Sequence, residues 1–327
     1  MALTRALVLR ALGLGDLLTA VPALRALQRG LAGVELHLAG PASYRPLLEL
    51  AGLRFRLLPA DGVTGVPSSL PWEGTPPDLA VNLHGAGPQS HRLLLGLGPG
   101  RLVAYGCPAA GVAGPGRRPD EHERVRWCRL VEEGLGLPAD PADLLLQAGV
   151  PRASGPAVVH PGAASAARRW PPDRFATVAR WLVDQGHRVV VTGGPDEELL
   201  GLRVARAAGL ERECVLAGRT GTRQLAQLVA AAPVVVCGDT GVAHLASAFA
   251  TPSVVLHGPT PPSAWGPPEE GPHVALWRGP GAGDPHADEP DPALLRITPA
   301  DVVAALASVG AAAPRPTRAS APGPQPR

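Results

Sequence analysis

The run Cys237-Gly-Asp239-Thr240-Gly241-Val242-Ala243-His244 follows the apolar Val234-Val235-Val236, which reads as a buried strand. It leads into small apolar residues up to Phe249 that read as a helix. A glycine-rich strand-to-helix turn directs unpaired backbone N–H groups and the positive end of the helix dipole at whatever anion lies in front of it. Asp239 and Thr240 are N-cap residue types, and His244 stands about one turn inside the helix. The same run also suits an ordinary capped helix on a sheet. Its meaning therefore depends on four other runs.

The first is Leu12-Gly-Leu-Gly15-Asp16, with Pro22 beyond it. Leu18 occupies the third glycine position of the dinucleotide fingerprint, so a dehydrogenase is disfavoured. Asp16 could cap the next helix or face a cleft as a carboxylate base, and Pro22 should kink or offset that helix. In His160-Pro-Gly162-Ala163-Ala164-Ser165-Ala-Ala-Arg168-Arg169-Trp170-Pro171, an arginine could bind a diphosphate through its fork, or both arginines could be solvated. In Thr192-Gly-Gly194-Pro195-Asp196-Glu197, a carboxylate could accept from ribose hydroxyls or serve only the helix dipole. Leu256-His-Gly258-Pro259-Thr260-Pro-Pro-Ser-Ala-Trp265-Gly266 reads as a rigid loop able to line a cleft, and Asn82-Leu-His84-Gly85 holds the same type of position earlier in the chain. His84 and His91 have no partners at ligand spacing and no Asp-x-Asp pair occurs, so neither a metal nor a cofactor is expected. Asp284, Asp288 and Asp291 are broken up by prolines and read as a solvated loop.

Strands alternating with helices must position these residues. Strands are expected at 6–10, 34–38, 54–58, 79–83 and 102–105, with helices at 17–28, 44–50, 90–97 and 121–134. After a proline- and alanine-rich stretch the pattern restarts, with strands at 157–160, 188–191, 234–237 and 253–256. Helices are expected at 172–185, 197–207, 222–231, 242–249 and 298–309. The expected division is a first domain over 1–136, a linker over 137–156, a second domain over 157–310 and a disordered tail over 311–327. This is an α/β chain whose two parallel sheets face a cleft.

The chain has 327 residues, 45% of them hydrophobic, and a net charge of +2, which gives no nucleic-acid footprint. It contains no lysine, so any cationic contact to phosphate must come from arginine. Cys107, Cys128, Cys214 and Cys237 have neither disulfide nor metal-ligand spacing, which fits a reducing compartment. Arg10 and Asp16 interrupt the leucine-rich N-terminus, which reads as strand and helix rather than a signal peptide. No apolar run is long enough to span a bilayer, so a cytoplasmic protein with at most peripheral membrane contact is expected.

Together these runs resemble glycosyltransferase family 9, the ADP-heptose:lipopolysaccharide heptosyltransferase family. The matching elements are Gly-x-Gly-Asp16 with Pro22, His160-Pro-Gly with Arg168-x-Trp170-Pro, Gly-Gly-Pro-x-Glu197, Gly-Asp239-Thr-Gly-x-x-His244 and Gly258-Pro-Thr, in family order. The resemblance implies a GT-B fold of two Rossmann-like domains, the first on the acceptor side and the second binding a nucleotide-sugar. It implies metal-independent, inverting transfer of a heptose-type sugar from an ADP-sugar to a glycan, lipopolysaccharide-core-like or other hydroxyl acceptor. Asp16 would be the base, Arg168 would hold the diphosphate where the family commonly has lysine, Glu197 would take the ribose, and Asp239 to His244 would cradle the donor. Gly15, Ser165, Asn82, His84, Gly258 and Thr260 are expected to line the substrate site. Two alternatives share the architecture: a sugar-nucleotide epimerase, and a catalytically silent nucleotide-sugar-binding protein, the latter suggested by Ala163-Ala164 and the apolar Leu12 and Leu14.

Overall fold

The structure, a computed structural model, describes residues 3–61 and 65–311. Its first sheet is built from β1 (Arg5–Leu9), β2 (Glu35–Gly40), β3 (Arg56–Pro59), β4 (Leu79–Asn82) and β5 (Arg101–Val103). The interleaved helices are α1 (Leu14–Gly30), α2 (Arg45–Leu50), α3 (Gln89–Leu95) and α4 (Glu123–Leu135). The order β3-β2-β1-β4-β5 is parallel throughout. The strands lack polar alternation because helices cover both faces; β4 is buried at every position.

The second sheet repeats the plan. It contains β6 (Ala157–His160), β7 (Val189–Val191), β8 (Val235–Gly238), β9 (Ser253–His257) and β10 (His273–Trp277). Its helices are α5 (Pro172–Asp184), α6 (Glu198–Ala208), α7 (Thr222–Ala231), α8 (Gly241–Phe249), α9 (Pro262–Trp265), α10 (Pro292–Leu295) and α11 (Pro299–Ser308). The order is β10-β9-β8-β6-β7, again parallel. Val215 forms one isolated parallel bridge to Val191 beyond β7, where a further strand would stand.

In each sheet the strand order reverses beside the first strand, between β1 and β4 and between β6 and β8. Ligands of such sheets bind outside the carboxyl ends of the strands at that switch point. Asp16 follows β1, the His160 run follows β6 and Asp239 follows β8, so topology brings the three runs to the two switch points.

The helix containing Pro22 is continuous from Leu14 to Gly30, packed between α4 and α8, as its expected span of 17–28 implies. Two expectations change. β10 was not expected; it is a half-buried edge strand without an apolar face pattern. Ala311 does not begin a disordered tail. It is buried, its N–H donates to the Leu306 carbonyl at 3.0 Å and its carbonyl lies 2.8 Å from His187 Nε2; residues 312–327 lie outside the described residues.

The two sheets are not separate globules. One apolar core runs from Val8 and Leu24 through Leu245 and Phe249 to Val235. The stretch between the sheets shares it through the buried Leu144 and Leu146, and the Leu146 N–H donates to the Ala248 carbonyl at 2.7 Å. Arg25 of α1 grips the same stretch through Asp143 Oδ1 at 2.7 Å and the Leu145 carbonyl at 2.8 Å.

Candidate active site

The cleft between the carboxyl ends of the sheets encloses about 590 Å³ and is lined from both halves. One wall is the turn from Gly13 to Asp16. The other is formed by His160, Ala163, Ala164, Arg168, Gly194, Glu197, Asp239, Thr240, Gly241, His244, Thr260 and Trp265, together with Pro285 and His286.

The amino ends of α1 and α8 meet here almost without a gap. A Cβ on Gly15 would stand 2.6 Å from His244 Cδ2, and one on Gly241 would stand 2.8 Å from Leu14 Cβ. These two glycines belong to the motifs because only hydrogen at Cα lets the two helix ends approach. Two positive dipole ends therefore open into one cavity. Thr240, the N-cap of α8, makes no cap hydrogen bond, and its buried Oγ1 has no partner among the described residues. Arg168 has no ion-pair partner among the described residues; its Nε donates only a long bond to Ser165 Oγ, at 3.4 Å. An unpaired guanidinium, an orphaned hydroxyl and two helix amino ends suit a bound anion.

Asp16 faces them from the other wall. It does both things its position allowed: Oδ2 accepts from the Gly13 N–H at 3.2 Å, while the side chain remains 27% exposed to the cleft. Burial pushes its pKa above the ordinary carboxylate value; Arg10 pulls it down and Glu123 pushes it up further.

Glu197 also has two roles. Its Oε2 accepts from the Gly194 N–H at 2.7 Å, and its carboxylate lies against Gly162, where a Cβ would clash. His160 Nδ1 lies 3.0 Å from Thr192 Oγ1, and burial lowers the His160 pKa. His244 packs edge-on against Trp265 at 5.7 Å between ring centroids. Burial, followed by the charge of His122, lowers its pKa to about 3, so it is neutral at physiological pH. Asp239 makes no side-chain hydrogen bond among the described residues, and burial raises its pKa, opposed by His257 and Arg168. A smaller pocket of about 190 Å³ adjoins the cleft beside His160 and Gly194, lined also by Leu14, Tyr44, Gly218, Thr220 and Leu225.

Asp16, Gly15, Arg168, Glu197, Asp239, Thr240, Gly241, His244 and Thr260 are thus brought to one cleft. Val242 and Ala243 are buried in the first turn of α8. Ser165 stands behind the wall, donating to the Pro285 carbonyl at 2.6 Å. Gly258 packs under Leu294 and the Ala167 carbonyl. Asn82 and His84 do not line the cleft. Asn82 donates to Ser90 Oγ at 2.9 Å and accepts from the His84 N–H, while His84 Nδ1 accepts from the Ala11 N–H at 3.2 Å.

Trp265 belongs to the loop expected to line the cleft, and it does. Sequence reasoning missed Pro285 and His286. Both sit in the segment expected to be merely solvated, but Ser165 and Ala167 donate to the Pro285 and Ala287 carbonyls and draw it onto the cleft. Among the described residues, no group of three His, Cys, Asp or Glu side chains is arranged to hold a metal ion, and no helix is long and apolar enough to cross a membrane.

No curated protein sequence matches the chain. Several solved structures match nearly its whole length. The ADP-heptose lps heptosyltransferase II of E. coli is 20% identical, with a TM-score of 0.73 over 94% of this chain and 98% of that one. A family 9 glycosyl transferase from Veillonella parvula DSM 2008 is 18% identical, with a TM-score of 0.73 over 94% and 97%. The E. coli heptosyltransferase WaaC, solved with ADP, is 20% identical, with a TM-score of 0.68 over 94% and 100%. At these identities the likeness speaks for the fold, the two-domain GT-B arrangement. The model of glycosyltransferase family 9 (heptosyltransferase) matches residues 120–277, a span that includes β6 to β10 and the donor-side wall of the cleft. Over that span, just under half of the chain, the sequence carries a match to the domain of this glycosyltransferase family.

Proposed function

We propose that the chain is an inverting, metal-independent glycosyltransferase that moves a heptose-type sugar from an ADP-sugar to a glycan hydroxyl, such as one of a lipopolysaccharide core, in the cytoplasm. The observation that carries this reading is the placement of Asp16 across one cleft from an anion cradle made of the α8 amino end, the orphaned Thr240 hydroxyl and the unpaired Arg168. Residues 1–136 take the acceptor and residues 157–310 the donor. The likeness to structures solved with ADP and with ADP-2-deoxy-2-fluoro heptose supports the choice of donor.

In the proposed reaction the acceptor O–H gives its proton to the Asp16 carboxylate while its oxygen attacks the anomeric carbon. The bond from that carbon to the diphosphate oxygen breaks on the opposite face, and ADP leaves with the electron pair. Negative charge grows on the diphosphate, where fixed N–H dipoles and a guanidinium stabilise it without reorganising. The neutral His244 can donate a hydrogen bond there. Asp239, a carboxylate with no hydrogen-bond partner beside the cradle, suits sugar hydroxyls better than phosphate, which would repel it. Glu197 takes the ribose hydroxyls, and the small pocket beyond Gly194 takes the base.

ADP release from ADP-heptose in the presence of lipopolysaccharide-core acceptor tests the reading. Asp16→Asn should lower turnover by about 100-fold or more, the usual worth of a positioned base, with ADP affinity little changed. Retained turnover would remove Asp16 from the role of base.

A further inference from the structure

Behind Asp16 lies a charged cluster that no step of the proposed reaction uses. Arg10, the residue after β1, is fully buried. Its Nη2 lies 3.2 Å from Asp16 Oδ1, 3.2 Å from Thr19 Oγ1 and 3.5 Å from Glu123 Oε1. Its Nε donates to the Asp16 carbonyl at 2.9 Å, its Nη1 donates to the Leu83 carbonyl, and the guanidinium lies 4.7 Å from the Trp127 ring centre. Every nitrogen of this guanidinium is engaged, so it cannot swing away. Glu123 opens α4 and is itself buried. It accepts from the Trp127 indole N–H at 2.9 Å and pairs with Arg126, whose Nη2 donates to the Glu121 carbonyl at 2.8 Å.

We propose that Arg10 and Glu123 are positioning residues for Asp16, with Glu123 setting the proton affinity of the base by competing for the single guanidinium that both carboxylates touch. The proposal rests on the reading of Asp16 as the base. A buried aspartate paired one-to-one with arginine would be a poor proton acceptor, because the pair would lose its attraction on protonation. A second buried carboxylate on the same guanidinium reduces that loss, while the fork still fixes the Asp16 backbone and Oδ1. The pKa of Asp16 is displaced upward, and Arg10 and Glu123 act on it in opposite directions after burial.

Arg126, paired with Glu123, partly offsets this competition; among the described residues the other titratable groups facing Asp16 are neutral. From the loop after β4, His84 is held neutral by burial and Arg10, with its pKa near 4. From α8, His244 is neutral as described, and at the amino end of α4 His122 is lowered to about 4 by burial and Arg124. Tyr44, whose hydroxyl donates to the Leu12 carbonyl at 2.8 Å, is pushed far above its usual range by burial and stays protonated.

The test is carbon-13 NMR titration of the full-length protein labelled at aspartate carboxyl carbons, with the Asp16 signal assigned by its loss in Asp16→Asn. Glu123→Gln keeps a partner for Trp127 but removes the competing charge, so the Asp16 midpoint should move down by about half a pH unit or more. Arg126→Gln leaves Glu123 less neutralised and should move the midpoint up. A fold scaffold would give no such opposed pair, and either variant decides alone if the other does not fold. Midpoints that stay within a tenth of a pH unit of wild type, or that move in the same direction, overturn the proposal. Failure of the base reading shows separately, as undiminished ADP release by Asp16→Asn.

Discussion

Asp16 carries the account at the scale of the residue. Because its pKa is raised above the ordinary carboxylate value, the protonated form persists to higher pH than for a free aspartate. The proposed base works only when deprotonated, so kcat/KM should fall as pH drops through that raised value and level off above it. A pH profile whose acid limb lies at or below the ordinary aspartate pKa would speak against Asp16 as the titrating group. Arg168 makes a second test. With no carboxylate ion-paired to it among the described residues, its removal should cost ADP the strength of a charge-assisted hydrogen-bond pair, about 1.5–3 kcal/mol or roughly 10- to 150-fold in affinity. Calorimetric titration of Arg168→Ala with ADP measures this directly. Asp16, Arg168 and His244 were legible in the sequence because each stands at a fixed step from a glycine turn after an apolar strand. Pro285 and His286 were not, since loop contacts between distant residues bring them in and no local spacing records such contacts.

At the scale of the element, the cleft depends on two helix amino ends touching. Gly15→Ala would drive a Cβ into His244, and Gly241→Ala would drive one into Leu14. Each should destabilise the fold by about 1–3 kcal/mol, the usual cost of overpacking, and should weaken ADP binding together with stability. Thermal unfolding and ADP titration of the two variants check this; unchanged stability in both would mean that the ends can part without cost. Most helices and strands were readable within a few residues, because buried parallel strands are continuous apolar runs and several helices, such as α1, α5 and α11, carry a proline or an acidic residue in their first turn. β10 escaped because each of its residues is half-buried, so neither alternation nor an apolar run marks it.

The whole molecule behaves as one body because the apolar core crosses the line between the sheets. α1 of the first half packs on α8 of the second, and the connecting stretch buries Leu144 and Leu146 in the same cluster. Calorimetric unfolding is therefore expected to show a single cooperative transition rather than one per sheet. Two well-separated transitions would show that the halves are energetically independent. That two α/β units face a cleft was readable from the strand and helix rhythm, which restarts after residue 156. The shared core was not, because nothing in a proline-rich connector says that its leucines are buried. The most direct test of the central claim is calorimetric titration of the full-length protein with ADP, UDP and GDP, in chelator and then with magnesium. The account predicts that ADP binds most tightly, with the same affinity in chelator and in magnesium. Failure to bind ADP in chelator, or a clear preference for UDP or GDP, would contradict the proposed metal-independent use of an ADP-sugar.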